Sequence, residues 1–241
     1  VSNVFVSKEL LESDILSVTI KNHNKRNALS DSIKLELEKI ELELRDKTEI
    51  KAVILSGEEG NFCSGNDIKE KNAFGDGLDL EIARQKNRLG LRMCDAWTNI
   101  PQITVASIEG ACIGGGVSLA LACDFRFCGP ESYFYVPEIE LGFTYAWGTI
   151  PKLVSLVGPS KAKLMTIACK KINAKSLINW GLCEKISDTP LNASKEFLKN
   201  IVLKPLVAQQ MVKESINRLT NINQISILEQ DQVLLTRKFK E

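Results

Sequence analysis

The sequence predicts an α/β fold that ends in a purely helical segment. Short runs rich in valine, isoleucine and threonine, which are typical of strands, alternate with stretches whose apolar residues recur at helical spacing. Beyond Pro190 only the helical spacing remains. This alternation indicates strands covered by helices, with the last helices packed against them as an appendage.

The first predicted strand, Asp14–Ile20, is followed by a polar turn and then by a helix. Ser30 has the hydroxyl expected of an N-cap, and the helix extends to about Lys47. Five further strands are expected at 51–56, 102–108, 124–128, 132–136 and 183–187. Five further helices are expected before Pro190, at 81–99, 116–123, 147–158, 159–170 and 174–181.

Composition argues against several classes of protein. The 241 residues include 31 basic and 30 acidic ones, with a formal net charge of +1, so we expect no nucleic-acid-binding face. The seven cysteines form no Cys-x-x-Cys pair, which argues against a metal or redox site and favours a reducing, cytoplasmic setting. No signal-peptide pattern and no uninterrupted apolar run of about 20 residues is visible, so we expect a soluble protein without membrane association.

Three consecutive glycines, Gly114–Gly116, stand where the 102–108 strand runs towards the next helix. A backbone without Cβ atoms lets a ligand approach, and the first turn of a helix offers unpaired N–H groups to an anion. The stretch lacks the GxGxxG spacing, and Gly116 stands where a P-loop needs lysine, so neither phosphate motif fits. The remaining functional interpretation is that this turn binds the oxyanion of a reacting carbonyl. The alternative is that the glycines only permit close packing.

A second glycine-bearing turn, Phe62–Ile68, follows the 51–56 strand. Because both turns follow strands, backbone N–H groups from the two can converge on one carbonyl oxygen, as an oxyanion hole requires. The alternative is an ordinary surface loop in which Asn66 and Asp67 cap the next turn.

These two turns, in this order, resemble the crotonase (enoyl-CoA hydratase/isomerase) superfamily. The resemblance rests on an ordered combination of segments across residues 14–187 rather than on one motif. The segments are Lys25–Leu29, Phe62–Ile68, Gly110–Gly116, Ala122–Arg126, Val136–Phe143, Ile150–Leu153, Leu156–Gly158, Ile172–Lys175 and Trp180–Leu182.

The resemblance implies a crotonase-like spiral of ββα units with two roughly perpendicular sheets. Residues 1–189 are then the catalytic core, and residues 190–241 are a helical segment that assembles homotrimers, often paired as hexamers. Substrates of the superfamily are acyl-CoA thioesters, and its reactions pass through an enolate. No metal or redox cofactor is implied, and coenzyme A enters only as part of the substrate.

By motif position, the resemblance assigns the two oxyanion donors to the backbone N–H groups of Asn66 and Gly115. It assigns contacts with the adenine and pantetheine parts of coenzyme A to Arg26, Asn27, Ala28, Ser64 and Gly65. The other predicted substrate contacts are Asp67, Ile68, Gly114, Ser118 and Trp147.

Hydratases of the superfamily carry two catalytic glutamates, and this chain retains one of them. The first position holds Ser118, whereas the second, which follows a proline, holds Glu138. Hydration needs one group to activate water and another to protonate carbon, so the loss of one glutamate argues against it. Moving a double bond needs only one carboxylate near both C2 and C4, and isomerases of the superfamily similarly keep the second glutamate.

Other side chains compete for a role in the site. Glu140 points to the same side as Glu138 if the segment between them is extended. Trp147 and Tyr145 either narrow the acyl pocket or fill core. His23, the only histidine in the sequence, lies in a polar turn with no serine elbow nearby, so a Ser–His–Asp triad is not expected.

The leading hypothesis is therefore an enoyl-CoA double-bond isomerase of fatty-acid metabolism, with Glu138 as the proton shuttle. The alternatives within the superfamily are a hydratase, a decarboxylase or a thioester hydrolase, including enzymes that act on carrier-protein thioesters. A member that binds coenzyme A without catalysis is the remaining alternative.

Overall fold

The computed structural model describes residues 5–11, 14–73, 75 and 77–220, and in these the chain forms nine strands and seven α-helices. The strands are β1 (Val6–Leu11), β2 (Ile15–Ile20), β3 (Ala52–Gly57), β4 (Ile103–Ile108), β5 (Ala111–Ile113), β6 (Phe125–Cys128), β7 (Tyr133–Tyr135), β8 (Ile172–Asn173) and β9 (Lys185–Ile186). The helices are α1 (Asp31–Leu44), α2 (Leu80–Asn99), α3 (Gly115–Ala122), α4 (Thr149–Thr166), α5 (Ala174–Asn179), α6 (Pro190–Val202) and α7 (Leu206–Thr220).

The strands form two sheets. The larger has the order β1-β2-β3-β4-β6-β9 and is parallel throughout, except that β1 runs antiparallel to β2. The smaller has the order β5-β7-β8. The central strand β3 is apolar from Ala52 to Leu55 and buried on both faces, as expected where helices cover a parallel sheet.

The predicted alternation of strands and helices is confirmed, with three strands added: β1, β5 and the two-residue β8. No strand pattern predicts β1, because this edge strand carries Ser7, Lys8 and Glu9 and lacks an apolar run. The three-residue β5 is too short for a periodic signal. The two helices predicted on either side of Gly158 form the single element α4, whose backbone breaks at Gly158, where φ is +76°.

Helices α1 and α2 cover one face of the larger sheet. The Ser30 hydroxyl accepts a hydrogen bond from Ile33 N at 3.3 Å, which confirms the predicted N-cap of α1. The buried indole of Trp97 on α2 donates to the carbonyl of Leu37 on α1 at 3.1 Å, so this large side chain fills the core without an unpaired N–H group.

Helix α6 covers the opposite face of the same sheet. Its buried residues Ala193, Leu198 and Val202 pack with Ile54 and Phe127 of the strands. The segment after residue 189, which follows the predicted catalytic core in the sequence, therefore also contributes side chains to the hydrophobic core. Its role in oligomer assembly stays a prediction, and residues 221–241 lie outside the described part of the chain.

Helix α7 is attached to the sheet by a buried lysine. Lys213 Nζ donates to the carbonyl of Gln102 at 2.8 Å and to Asp124 Oδ2 at 2.7 Å. Asp124 Oδ2 also accepts from the backbone N–H of Thr104 at 2.8 Å, so one carboxylate joins α7, β4 and the start of β6. Among the described helices, none combines the length and apolar character needed to cross a membrane.

We expect Lys213→Met to lower the free energy of unfolding by about 2–3 kcal/mol, because it leaves a partly buried carboxylate without its cation. Denaturant titration at fixed protein concentration measures this loss. Lys199→Met is the matched control, since Lys199 pairs with Glu196 on the exposed surface of α6, and its cost should stay below about 1 kcal/mol. Equal costs for the two substitutions would contradict the anchoring role.

Candidate active site

Two turns at the carboxyl ends of β3 and β4 are held side by side by backbone hydrogen bonds. Cys63 N donates to the carbonyl of Ala111 at 3.0 Å, and Ile113 N donates to the carbonyl of Cys63 at 2.9 Å. These bonds pair the loop after β3 with β5, directly before the glycine triplet. The two glycine-bearing turns predicted to converge therefore lie next to each other.

The backbone of Gly65 closely approaches that of Gly115. A Cβ placed on Gly65 would lie 2.8 Å from the carbonyl oxygen of Ile113 and 3.4 Å from Gly115 N. Among the described residues, neither Asn66 N nor Gly115 N donates a hydrogen bond to any acceptor. The backbone N–H groups of Asn66 and Gly115, which were predicted to form the oxyanion hole, therefore lie near each other and have no acceptor among the described residues.

Asn66 and Gly115 line one cavity of about 470 Å³. Its walls come from the turn before α1, from α1 and α2, from the two glycine-bearing turns and from residues 137–147. The predicted site residues that line it are Arg26, Ala28, Ser64, Gly65, Asn66, Asp67, Ile68, Gly114, Gly115, Ser118, Glu138 and Trp147.

Asn27 is the exception, since the structure places it away from the cavity. Its side chain is fully buried, and its Nδ2 donates to the carbonyls of Glu58 at 2.8 Å and Asn61 at 2.7 Å. Its Oδ1 accepts from Asn22 N at 2.9 Å. The Asn27 side chain therefore does not line the cavity: its amide fastens the turn before α1 to the loop after β3, and Arg26 and Ala28 line the cavity on either side. A substrate contact for Asn27 stays a prediction.

Glu138 begins a short 3₁₀ turn, Glu138–Leu141, and its carboxylate meets the glycine triplet. A Cβ on Gly114 would lie 2.4 Å from Glu138 Oε1, and Gly114 has a φ of +49°, so this position requires glycine. Glu138 Oε2 is buried and has no hydrogen-bond partner among the described residues. Burial raises the pKa of Glu138 to about 7.

Glu140 does not share the site with Glu138. The expectation that the two point to the same side rested on an extended segment, whereas the backbone turns here and separates them. Glu140 is exposed, and its Oε2 accepts a hydrogen bond from the Tyr135 hydroxyl at 2.6 Å. Glu138 is therefore the carboxylate that meets the triplet.

Ser118 occupies the position that holds the first catalytic glutamate in hydratases of the superfamily. Its hydroxyl is part of a buried chain of hydrogen bonds. Thr149 Oγ1 donates to Ser118 Oγ at 2.7 Å, Ser118 Oγ donates to the Tyr145 hydroxyl at 3.1 Å, and that hydroxyl donates to the carbonyl of Gly114 at 3.2 Å. Each hydroxyl is already partnered, so the chain supports the triplet and supplies no second acid or base.

The indole of Trp147 forms a wall beside the Gly115 amide. A Cβ on Gly115 would lie 2.2 Å from the indole, and one on Gly90 of α2 would lie 1.9 Å from it. Trp147 therefore needs a glycine on both sides, and it lines the cavity as well as filling core. Tyr145 lines the same cavity and is also buried in the core. That this pair narrows an acyl pocket stays a prediction.

Two lysines that no sequence motif marked, Lys34 on α1 and Lys86 on α2, both line the cavity. A signal was present in the sequence. Lys34 lies one position after Ile33 and three before Leu37, so it falls on the apolar face of α1. A charged residue on a buried helical face requires a partner or a ligand.

Neither Cys63 nor His23 offers competing chemistry in this cavity. Burial raises the pKa of the Cys63 thiol to about 12, which makes it a poor nucleophile. His23 is exposed, and its Nδ1 hydrogen-bonds to Glu58 Oε2 at 3.1 Å. In the part of the chain that the structure describes, no group of three or more histidine, cysteine or acidic side chains could hold a metal ion.

Residues 11–241 match the protein family described as enoyl-CoA hydratase/isomerase. The chain belongs to this family. Among its relatives, the chain is 30% identical over 207 residues to the ethylmalonyl-CoA decarboxylase of Rattus norvegicus, a match covering 83% of this chain and 67% of that protein. It is also 30% identical over 220 residues to the short-chain-enoyl-CoA hydratase of Clostridium acetobutylicum, covering 90% and 82% of the two chains.

A third relative of this chain is named as an isomerase. The match to the peroxisomal Delta(3,5)-Delta(2,4)-dienoyl-CoA isomerase of Arabidopsis thaliana is 30% identical over 183 residues and covers 73% of this chain and 66% of that one. In structure, the enoyl-CoA hydratase of Bacillus halodurans is similar with a TM-score of 0.88 at 21% identity, covering 98% and 96% of the two chains. This likeness confirms the predicted crotonase-like fold.

We expect Glu138→Gln to stabilise the protein at pH 8 but not at pH 4. The folded state holds the Glu138 proton more tightly than the unfolded state, whose pKa is near 4.5, so the wild type loses stability as the pH rises from there through about 7. Glutamine does not titrate and avoids this loss. Thermal unfolding of both proteins between pH 4 and pH 8 measures the difference, which should grow with pH; a constant difference would contradict the burial of this carboxyl group.

Proposed function

We propose that this acyl-CoA enzyme is an enoyl-CoA double-bond isomerase that uses Glu138 as its single proton shuttle. One cavity carries the proposal: it is lined by Glu138, whose Oε2 has no partner among the described residues, and by Asn66 and Gly115, whose N–H groups donate to no acceptor there. The family supplies the substrate class, a coenzyme A thioester. The dienoyl-CoA isomerase of Arabidopsis thaliana is a relative whose name states this kind of reaction.

The amides of Asn66 and Gly115 act first, on the thioester oxygen. Removing a proton from C2 of a 3-enoyl thioester moves negative charge onto this oxygen, and two fixed N–H donors stabilise the charge without reorganisation. Gly115 is the first residue of α3, so the positive end of that helix dipole adds to the stabilisation. These donors lower the barrier to forming the dienolate.

Glu138 then moves the proton. Its ionised carboxylate takes a proton from C2, and the resulting carboxylic acid returns it to C4, so the double bond shifts into conjugation with the thioester and no water is consumed. A base whose pKa lies near 7 is matched to this task, because both its charged and its protonated forms are accessible near neutral pH.

Hydration fits this cavity less well than isomerisation. It requires a second group that activates water, and the corresponding position is Ser118, whose hydroxyl is held by Tyr145 and Thr149. A partnered serine with neutral neighbours is a weak base compared with a carboxylate. The named activity of the Clostridium acetobutylicum relative therefore does not carry over directly.

We expect Glu138→Gln to reduce kcat for conversion of 3-hexenoyl-CoA into 2-hexenoyl-CoA by about 100- to 10,000-fold, because it removes the only proton acceptor proposed for the reaction. The rise in conjugated thioester absorbance follows the product. Glu140→Gln is the matched control, since Glu140 is an exposed carboxylate only two residues away, and it should retain the wild-type rate.

The pH dependence gives a second readout of the same proposal. The base must be ionised to take the C2 proton, so kcat/KM should rise with pH and level off above about pH 7 in the wild type. Equal activity of the wild type and Glu138→Gln at all pH values would remove Glu138 from the mechanism.

Decarboxylation is the second candidate, because the Rattus norvegicus relative bears the name ethylmalonyl-CoA decarboxylase. Loss of carbon dioxide from such a thioester leaves an enolate for the same two amides, and protonated Glu138 can return a proton to C2. Ethylmalonyl-CoA and 3-hexenoyl-CoA, assayed side by side by product chromatography, separate the candidates. We expect the larger kcat/KM for 3-hexenoyl-CoA; a larger value for ethylmalonyl-CoA would make decarboxylation the main activity.

A further inference from the structure

Lys34 is a buried cation that contacts the turn carrying one of the proposed oxyanion donors. Its side chain is 3% exposed, and its Nζ donates to Asn66 Oδ1 at 2.9 Å. Nζ also lies 2.7 Å from Asp31 Oδ1 and 5.9 Å from the centre of the Trp147 ring. Lys34 thus joins α1, the turn after β3 and the indole wall of the cavity.

The charges around Lys34 are arranged with the cations towards the cavity. Lys34 and Lys86 line the cavity and both pair with Asp31, which does not line it. The backbone N–H of Asp31 is held in turn by Glu70 Oε2 at 3.0 Å. Burial lowers the pKa of Lys34, whereas the neighbouring Asp31 carboxylate raises it and so favours the charged ammonium.

We propose that Lys34 is a positioning residue of the oxyanion hole, which it serves by holding Asn66 through its side-chain oxygen. This inference rests on the proposed role of the Asn66 and Gly115 amides in binding the thioester oxygen. It adds a residue that no sequence motif marked and assigns it a task separate from proton transfer.

Backbone hydrogen bonds hold the turn beside Asn66, and Lys34 holds its side chain. The turn is fixed on either side of Asn66, because Leu29 N donates to the carbonyl of Gly65 at 2.8 Å and Asp67 N donates to the carbonyl of Leu29 at 3.0 Å. Asn66 itself follows Gly65, whose φ is +91°, and its own N–H is unpaired in the described residues. Within that part of the chain, the bond from Lys34 is the hydrogen bond that the Asn66 side chain makes.

A merely structural role makes a different prediction from a positioning role. If Lys34 only neutralises Asp31, its loss lowers stability but leaves the bound thioester unchanged. If it positions Asn66, its loss weakens polarisation of the thioester carbonyl, and the effect depends on the Asn66 side chain. Carbonyl polarisation in a saturated thioester is measurable without any turnover.

The experiment uses hexanoyl-CoA labelled with ¹³C at the carbonyl, bound to the full chain and observed by isotope-edited infrared spectroscopy. We expect the wild type to shift the carbonyl band to lower frequency, and Lys34→Met and Asn66→Ala each to lose most of that shift. Asn66→Ala keeps the backbone donor and removes only the acceptor for Lys34, so it tests the same link if Lys34→Met folds poorly. In the double variant the two losses should not add.

Kinetics provide the second measurement. Lys34→Met should lower kcat for 3-hexenoyl-CoA by about 10-fold, less than the 100- to 1,000-fold loss of an entire oxyanion donor, with little change in KM. Lys34→Arg keeps the charge and should recover part of the rate. Arg92→Met is the matched control, because it removes a cation that joins α2 to α1 through Glu38, away from the cavity and from Asn66, and it should leave the carbonyl shift in place.

The possible outcomes separate this inference from the proposed function. A wild type that isomerises and shifts the carbonyl band, with an unchanged shift in both Lys34→Met and Asn66→Ala, would overturn the role of Lys34 alone. Additive losses in the double variant, or an equal loss in Arg92→Met, would overturn it too. A wild type that neither shifts the band nor isomerises would instead overturn the oxyanion hole on which the inference rests.

Discussion

The site depends on the pairing of the loop after β3 with the short strand β5. Two backbone hydrogen bonds at Cys63 bring the turn carrying Asn66 against the turn carrying Gly115. Side chains cannot make this contact as closely, because a Cβ at Gly65 would already reach the carbonyl of Ile113. The approach of the two turns is therefore set by main-chain contacts, which suits a family with several named activities.

Two ionisable side chains buried at the cavity, Lys34 and Glu138, differ in whether neighbouring groups compensate them. Lys34 is compensated by Asp31 and satisfied by Asn66, so it behaves as part of the framework. Glu138 has a buried oxygen without a partner in the described structure, and its pKa is raised accordingly. An unsatisfied buried carboxyl group costs stability and is retained where its proton is useful. This contrast separates the group proposed to react from the groups that hold the site.

Most of the site was predictable because its residues stand in motifs of fixed spacing. Asn66, Gly115 and Glu138 were identified from their neighbours in the chain, and all three line the cavity. For Asn27 the motif gives the position of the residue but not the direction of its side chain, which here turns towards Glu58 and Asn61. Lys34 was overlooked because a lysine within a helix is ordinarily a surface residue.

The sequence by itself determined the alternation of strands and helices, the two glycine-bearing turns and the replacement of one glutamate by Ser118, since each is a local pattern of residue types. Only the tertiary structure decided that the Asn66 and Gly115 amides lack acceptors, that Glu140 turns away from Glu138, and that a lysine from α1 reaches the turn after β3. These facts join residues far apart in the chain. They follow from burial and direction in space, which no local pattern encodes.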